Sequence, residues 1–318
     1  MRSRLFFTGE AGLIATALAA RLEGKYEIIR PFGTDVLLTP TGEVDILNQR
    51  TIEALKRILK VDDTVIHCAA YTGTEKCDRY AYDAVKVNVV GVENICDLVL
   101  ETGANLVAFS TTAIHRPGIV PLTETSPIDP RTLYGLSKAI GETIVREKLR
   151  NRDSWTIVRP VFLYGDAPKD NASMIRRILE AIRRKKQVIV LLDPQCVKDY
   201  FRIEYFTVLF DAFLEEFIQF FPNTYNDAST VILSRGAGKP FQVYLDHIEE
   251  VTGVGIQTIK RYVTFEPTRD YLGDHLGASI VFPKICPTFS LPPEAFDDEL
   301  GIRKTWESVC DYVDRGCN

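Results

Sequence analysis

Residues 4–8 are an apolar run closing on Thr8. Gly9-Glu10-Ala11-Gly12 follows, and apolar residues then return at helical spacing through Leu22. This pattern predicts strand, glycine turn and helix. A second strand is predicted at 26–30. A loop with Pro40 and Gly42 then leads through 44–48 to a helix over 50–60. Residues 64–70 read as a buried strand running into small residues, and 81–102 as a helix. Residues 105–110 read as a strand opening onto Thr111 and Thr112. After a proline-containing loop at 117–130, a helix begins near Leu133, and 155–160 is a further strand. Strands alternating with helices imply a parallel sheet with right-handed crossovers. The expected fold is therefore α/β, a doubly wound Rossmann-like sheet with a smaller C-terminal substrate lobe. The core is expected at 1–165, with 195–228 returning to it. Residues 166–194 and 229–318 are expected mainly in the lobe. The aromatic series Tyr200, Phe201, Tyr205, Phe206, Phe210, Phe213 and Phe217 recurs near helical spacing and is expected in the core.

Composition narrows the function classes. The formal net charge is −5, which disfavours non-specific nucleic-acid binding. Glu10 and two glycines break the first apolar run, so it does not read as a secretory leader. The apolar stretch at 203–221 carries Glu204, Asp211, Glu215 and Glu216, too many charges for a bilayer span. Seven cysteines are scattered without a C-x-x-C pair, which suggests reduced thiols in a cytoplasmic protein. The four histidines stand far apart, so no metal site is expected.

The glycine turn has the form of a dinucleotide site. Glycines let backbone approach a pyrophosphate, and the helix start supplies free N–H groups and positive dipole. Arg30, at the end of the second strand, would accommodate the 2′-phosphate of NADP, where an acid would bind the 2′-hydroxyl of NAD. As a plain surface arginine it would have no such meaning. Tyr134 and Lys138 are four apart, hence on one helix face. A nearby ammonium lowers a phenol's pKa, so such a pair can exchange a proton near neutral pH. The spacing alone is common by chance. Arg183-Arg184-Lys185-Lys186 reads as charge at a helix C-terminus.

Several segments occur in a telling order: Thr8-Gly9-x-x-Gly12, Cys68-Ala69-Ala70-Tyr71-Thr72, Val87-Asn88-x-x-Gly91, Phe109-Ser110-Thr111, Tyr134-x-x-x-Lys138 and Arg159-Pro160 with Tyr164-Gly165. In this order they resemble the extended short-chain dehydrogenase/reductases, the nucleotide-sugar epimerase, dehydratase and reductase group. The segments at 44–48, 68–72 and 121–125 look most like the dTDP-4-dehydrorhamnose reductase branch. The resemblance implies an NADP(H) site, with NAD as the alternative, drawn from Gly9, Gly12, Leu13, Ile14, Arg30, Asp45, Ile46, Ala69, Ala70, Tyr71, Asn88, Tyr134, Lys138 and Pro160. It also implies a catalytic trio. Thr111 would bond the sugar oxygen at the reacting carbon, Tyr134 would transfer the proton, and Lys138 would hold the nicotinamide ribose. Substrate contacts would come from Thr111, Thr112, His115, Asn171, Lys198 and Arg269. For His115 an imidazole merely packed in its loop is the competing reading.

The residues after Thr111 narrow the reaction. Dehydratases of this group resemble Thr-Asp-Glu there, and 3,5-epimerising reductases carry a cysteine at the position of Ala113. Thr111-Thr112-Ala113 offers neither. Reduction of a nucleotide-linked 4-keto sugar and 4-epimerisation with retained NAD remain. A non-catalytic NADP-binding regulatory subunit is the third reading. The resemblance also implies a homodimer, with apolar positions at 139–149 permitting it.

Overall fold

A computed structural model of the chain describes residues 2–30, 44–116, 122–165, 173–190, 194–220, 230–265 and 290–315. Asn171 and Arg269, expected at the substrate, lie outside the described residues, as does most of 265–295. In chain order the elements begin β1 (Arg4–Thr8), α1 (Leu13–Leu22), β2 (Glu27–Ile29), α2 (Gln49–Ile58), β3 (Thr64–His67), α3 (Thr74–Arg79) and α4 (Ala81–Val85). A π-helical segment, Lys86–Gly91, joins α4 to α5 (Val92–Thr102). Next come β4 (Asn105–Phe109), a 3-10 turn at Thr112–Ile114, α6 (Leu133–Leu149) and β5 (Trp155–Pro160). The remainder is β6 (Phe162–Tyr164), α7 (Met174–Arg184), β7 (Val188–Val190), β8 (Val197–Lys198), β9 (Tyr200–Arg202), α8 (Ile203–Phe220), β10 (Thr230–Leu233), β11 (Lys239–Pro240), α9 (Phe241–Thr252), α10 (Ile256–Tyr262), β12 (Val263–Phe265) and α11 (Asp298–Asp314).

Six strands form one parallel sheet in the order β10-β5-β4-β3-β1-β2. β1 alternates its apolar side chains across the sheet. Leu5 and Phe7 enter a core with Leu18 of α1 and Phe206, Phe210 and Phe213 of α8. Phe6 enters the opposite core with Ile52 of α2 and Ile95 and Val99 of α5. Burial on both faces is why this strand reads as continuous apolar sequence. The chain leaves β1 toward β2 on one side and later fills β3, β4 and β5 on the other. The carboxyl ends of β1 and β3 therefore flank the switch point where such sheets bind ligands.

Two differences from the sequence reading matter. The helix expected over 81–102 is interrupted by the π-helical turn that carries Asn88. The sheet also takes its sixth strand from Thr230–Leu233, inside the range expected mainly in the lobe. A third apolar cluster lies apart from the sheet. It joins α7, α9 and α11 through Ile178, Tyr244, Ile302 and Val309.

Candidate active site

Gly9 turns the chain at φ +72, and a Cβ there would lie 2.7 Å from the backbone N and Cα of Ala69. Only glycine permits this approach of the β1 turn to the end of β3. Thr8 secures it, its Oγ1 accepting the Ala69 N–H at 3.1 Å. α1 then starts at Gly12 without a side-chain cap and without an acid in its first turn. Free N–H groups and positive dipole therefore face the switch point. This set fits a dinucleotide pyrophosphate. Leu13 and Ile14 lie half-buried in the same turn, Ala69, Ala70 and Tyr71 border it, and Pro160 ends β5 within the sheet. Arg30 is exposed just past β2, where its Nη2 meets Glu23 at 3.0 Å.

Three of the expected cofactor residues also make contacts within the protein. Asn88 is buried, and all of its amide is spent inside the protein. Its Oδ1 accepts the Tyr71 N–H at 2.8 Å. Its Nδ2 donates to the Tyr71 carbonyl and to Ser137 Oγ, both at 2.9 Å. It stitches the loop after β3 to α6. Ile46 packs its side chain against Gly91 and gives its carbonyl to Asn94. Asp45 caps its own turn, accepting the Leu47 N–H at 3.0 Å.

Helix α6 opens on Thr132, whose hydroxyl accepts the Gly135 N–H at 3.0 Å. A Cβ at Gly135 would lie 2.5 Å from the Ala113 carbonyl, so the helix start sits directly against the loop after β4. That contact sets the Tyr134 hydroxyl beside that of Thr111. Thr111 is held in turn, accepting the Ala113 N–H at 3.1 Å. One turn along, Lys138 is buried and donates to the Phe109 carbonyl at 2.6 Å.

The electrostatics depart from expectation. Burial pushes the Tyr134 phenol up to about 12, although the neighbouring Thr111 hydroxyl pulls the other way. Lys138 is not among the groups acting on it, because the ammonium is turned toward Phe109. Burial likewise draws Lys138 down to about 8, against the pull of Glu142 and Cys68. The cofactor-free site thus presents a protonated phenol at neutral pH.

His115, Thr112 and Lys198 are all buried. His115 is 1% exposed and both ring nitrogens are engaged, Nδ1 with the Pro127 carbonyl and Nε2 with Arg159, each at 3.2 Å. Nδ1 therefore carries the hydrogen and the ring is neutral. Burial and the Arg159 charge both lower its pKa. Thr112 is buried in the 3-10 turn. Lys198 is buried with its ammonium 5.1 Å over the Phe162 ring.

Sequence reasoning missed the groups behind the pair. Glu142, a further turn along α6, is buried and held by Arg159 through two bonds of 2.8 and 2.6 Å. The spacing 134, 138, 142 was the available signal. His67 was another, as a polar residue closing an apolar strand. In the lobe, buried Arg235 ties Asp199 at 3.1 Å, Asp298 at 2.7 Å and Tyr244 at 2.7 Å. Folding also brings Glu299 to His247 and Glu250, which stand three apart on α9. Glu250 already pairs with His247, and Glu299 with Arg303.

Comparison with known proteins adds the following. The family model described as RmlD substrate binding domain matches residues 3–196. Spore coat polysaccharide biosynthesis protein SpsK of Bacillus subtilis is 26% identical over 202 residues, covering 62% of this chain and 66% of that protein. A dTDP-4-dehydrorhamnose reductase of Streptomyces griseus is 30% identical over 196 residues, covering 61% of this chain and 60% of the reductase. The chain thus spans less than two-thirds of the length of either relative. Among solved structures, RMD from Pseudomonas aeruginosa complexed with NADPH superposes with a TM-score of 0.74 at 17% identity, over 96% of this chain and 99% of that one. MoeE5 in complex with UDP-glucose and NAD gives 0.76 at 16% identity, over 98% and 99%. At these identities the likeness is one of fold.

Proposed function

The chain belongs to the RmlD substrate binding domain family, within the extended short-chain dehydrogenase/reductases, and from that premise we propose that it is an NADP(H)-dependent reductase of a nucleotide-linked 4-keto deoxysugar. The observation that carries the reading is the seating of the α6 start, with Tyr134, directly on the loop after β4 that carries Thr111. In the proposed mechanism Thr111 orients the sugar carbonyl, and Tyr134 gives its phenolic proton to the carbonyl oxygen. A phenol pushed up by burial is in the acid form that reduction requires. Lys138 offers its remaining ammonium hydrogens toward the nicotinamide ribose. The bound nicotinamide supplies the hydride. Gly9, Gly12 and the start of α1 would hold its pyrophosphate, and Arg30 the 2′-phosphate. Neither Thr112 nor Ala113 can eliminate water or deprotonate a sugar carbon, which supports simple reduction.

We assign the sheet domain to the cofactor and the α7, α9 and α11 lobe to the nucleotide sugar. Among the described residues no helix is long and apolar enough to cross a membrane. We place the protein in the cytoplasm. Leu136 and Ile140 of α6, Val90 of the π-helical segment and Leu100 of α5 are 40–46% exposed, and they support a homodimer through these helices.

The test is stoichiometry. Incubated with NADPH and dTDP-4-dehydrorhamnose, the protein should consume one NADPH per product formed. Interconversion of 4-epimers of a nucleotide sugar without net NADPH loss would replace the reductase with a 4-epimerase. Tight NADP binding without turnover would make it a non-catalytic subunit.

A further inference from the structure

β3 is buried along its length and ends on His67, which is 1% exposed. His67 Nδ1 lies 2.8 Å from Thr8 Oγ1, and that hydroxyl already accepts the Ala69 N–H. We orient the hydroxyl's own hydrogen toward the ring. Nδ1 therefore accepts and Nε2 carries the imidazole hydrogen. Yet Nε2 is buried without a protein partner. Native structures rarely leave such a donor alone.

Beside it lies a small pocket of about 10 Å³, bordered by His67, Ser110, Lys138 and Glu142, with Val92 and Ile157 among its apolar walls. That volume is about the least that holds one water, and a buried water needs two to four polar partners. Four are present. Among the described residues Lys138 gives one hydrogen bond to protein, to the Phe109 carbonyl. Ser110 Oγ points at the Glu142 carboxylate without closing a full hydrogen bond. Each Glu142 oxygen takes one hydrogen from Arg159 and has a lone pair to spare.

We propose that this pocket is a built hydration site, in which one ordered water accepts from His67 Nε2 and from the Lys138 ammonium and donates to Glu142 and Ser110. His67 and Ser110 are thereby positioning residues for Lys138. They share, through the water, in holding a buried ammonium charged and aimed. The titratable and charged groups facing Lys138 are Glu142 on its own helix and His67 and Cys68 from β3 and its end. Arg159 of β5 and Arg146 of α6 stand behind Glu142. Burial and the Lys138 charge hold His67 down at about 3, so the ring stays neutral and does not repel the ammonium. The catalytic meaning of this arrangement rests on the reading above. The water itself does not.

The experiment uses the cofactor-free, full-length protein and no substrate, so a wrong functional reading leaves it interpretable. Lys138 is titrated by NMR of its ε-carbon, assigned by the signal lost in Lys138→Arg. Wild type should titrate near 8. His67→Phe keeps a ring but removes the donor, and should lower that midpoint by about one pH unit as the ammonium loses its water. A crystal structure should show one water between His67 Nε2 and Lys138 Nζ. A dry pocket, or an unshifted midpoint in folded His67→Phe, overturns the proposal. If His67→Phe does not fold, Ser110→Ala takes its place under the same criteria.

Discussion

Arg159 grips both oxygens of Glu142 at 2.8 and 2.6 Å, with the two side chains 1% and 3% exposed. Glu142 lies one turn beyond Lys138, itself one turn beyond Tyr134, so this ion pair anchors the catalytic face of α6 to β5. Arg159 is fixed in turn by His115 Nε2 and the Glu124 carbonyl.

Removing one partner of a buried pair strands the other charge, which costs about 3–5 kcal/mol. Glu142→Ala should therefore lose about that much stability in chemical denaturation. A loss below about 1 kcal/mol, the range of a surface pair, would show that Arg159 is not held by this bond.

The same pair sets an acid limit. Burial alone would raise the Glu142 carboxyl, but the bonds and charge of Arg159 outweigh it and hold the group below its ordinary 4.5. A depressed carboxyl contributes stability above its unfolded value, and that stability is lost as pH falls through the folded one. His67 acts earlier. It is neutral in the fold down to about 3 but charged when unfolded below 6.5, so stability begins to fall beneath pH 6.5. Denaturation midpoints should decline in two stages, and His67→Phe should flatten the upper stage only.

Gly9→Ala should weaken NADPH binding by at least about tenfold in calorimetry, because its Cβ would meet Ala69 at 2.7 Å and its φ is +72. Gly24 is the control. Its φ is +87, but nothing lies within 4 Å of its Cβ position. Gly24→Ala should cost some stability and leave binding unchanged.

Arg30 should determine cofactor preference. Its exposed pair with Glu23 contributes little, so the guanidinium is easily released to a phosphate. Arg30→Ala should lower NADPH affinity about tenfold and leave NADH affinity as it was. Equal loss for both cofactors would remove the 2′-phosphate role.

Much of this was legible beforehand. The β1 turn and α1 were, because apolar runs, glycine spacing and helical periodicity are local properties. So was the aromatic face of α8, where Phe206, Phe210 and Phe213 are indeed core. Asn88 was placed at the cofactor because a polar residue in a family motif reads as a contact. Only the fold shows its amide consumed by Tyr71 and Ser137. The surroundings of His115 and Lys198 were hidden for the same reason: their partners, Arg159 and the Phe162 ring, are distant in sequence and only the fold brings them near. Lys138 was expected to lower the Tyr134 pKa. Four-residue spacing fixes the shared face but not the direction in which a long side chain turns.

The central claim is that the Tyr134 hydroxyl supplies the proton for reduction, and single-turnover NADPH oxidation with Tyr134→Phe tests it most directly. With NADPH and dTDP-4-dehydrorhamnose both saturating, the variant should bind NADPH as wild type does and oxidise it about 10²–10⁴-fold more slowly. A Tyr134→Phe protein that oxidises NADPH at the wild-type rate would contradict the account.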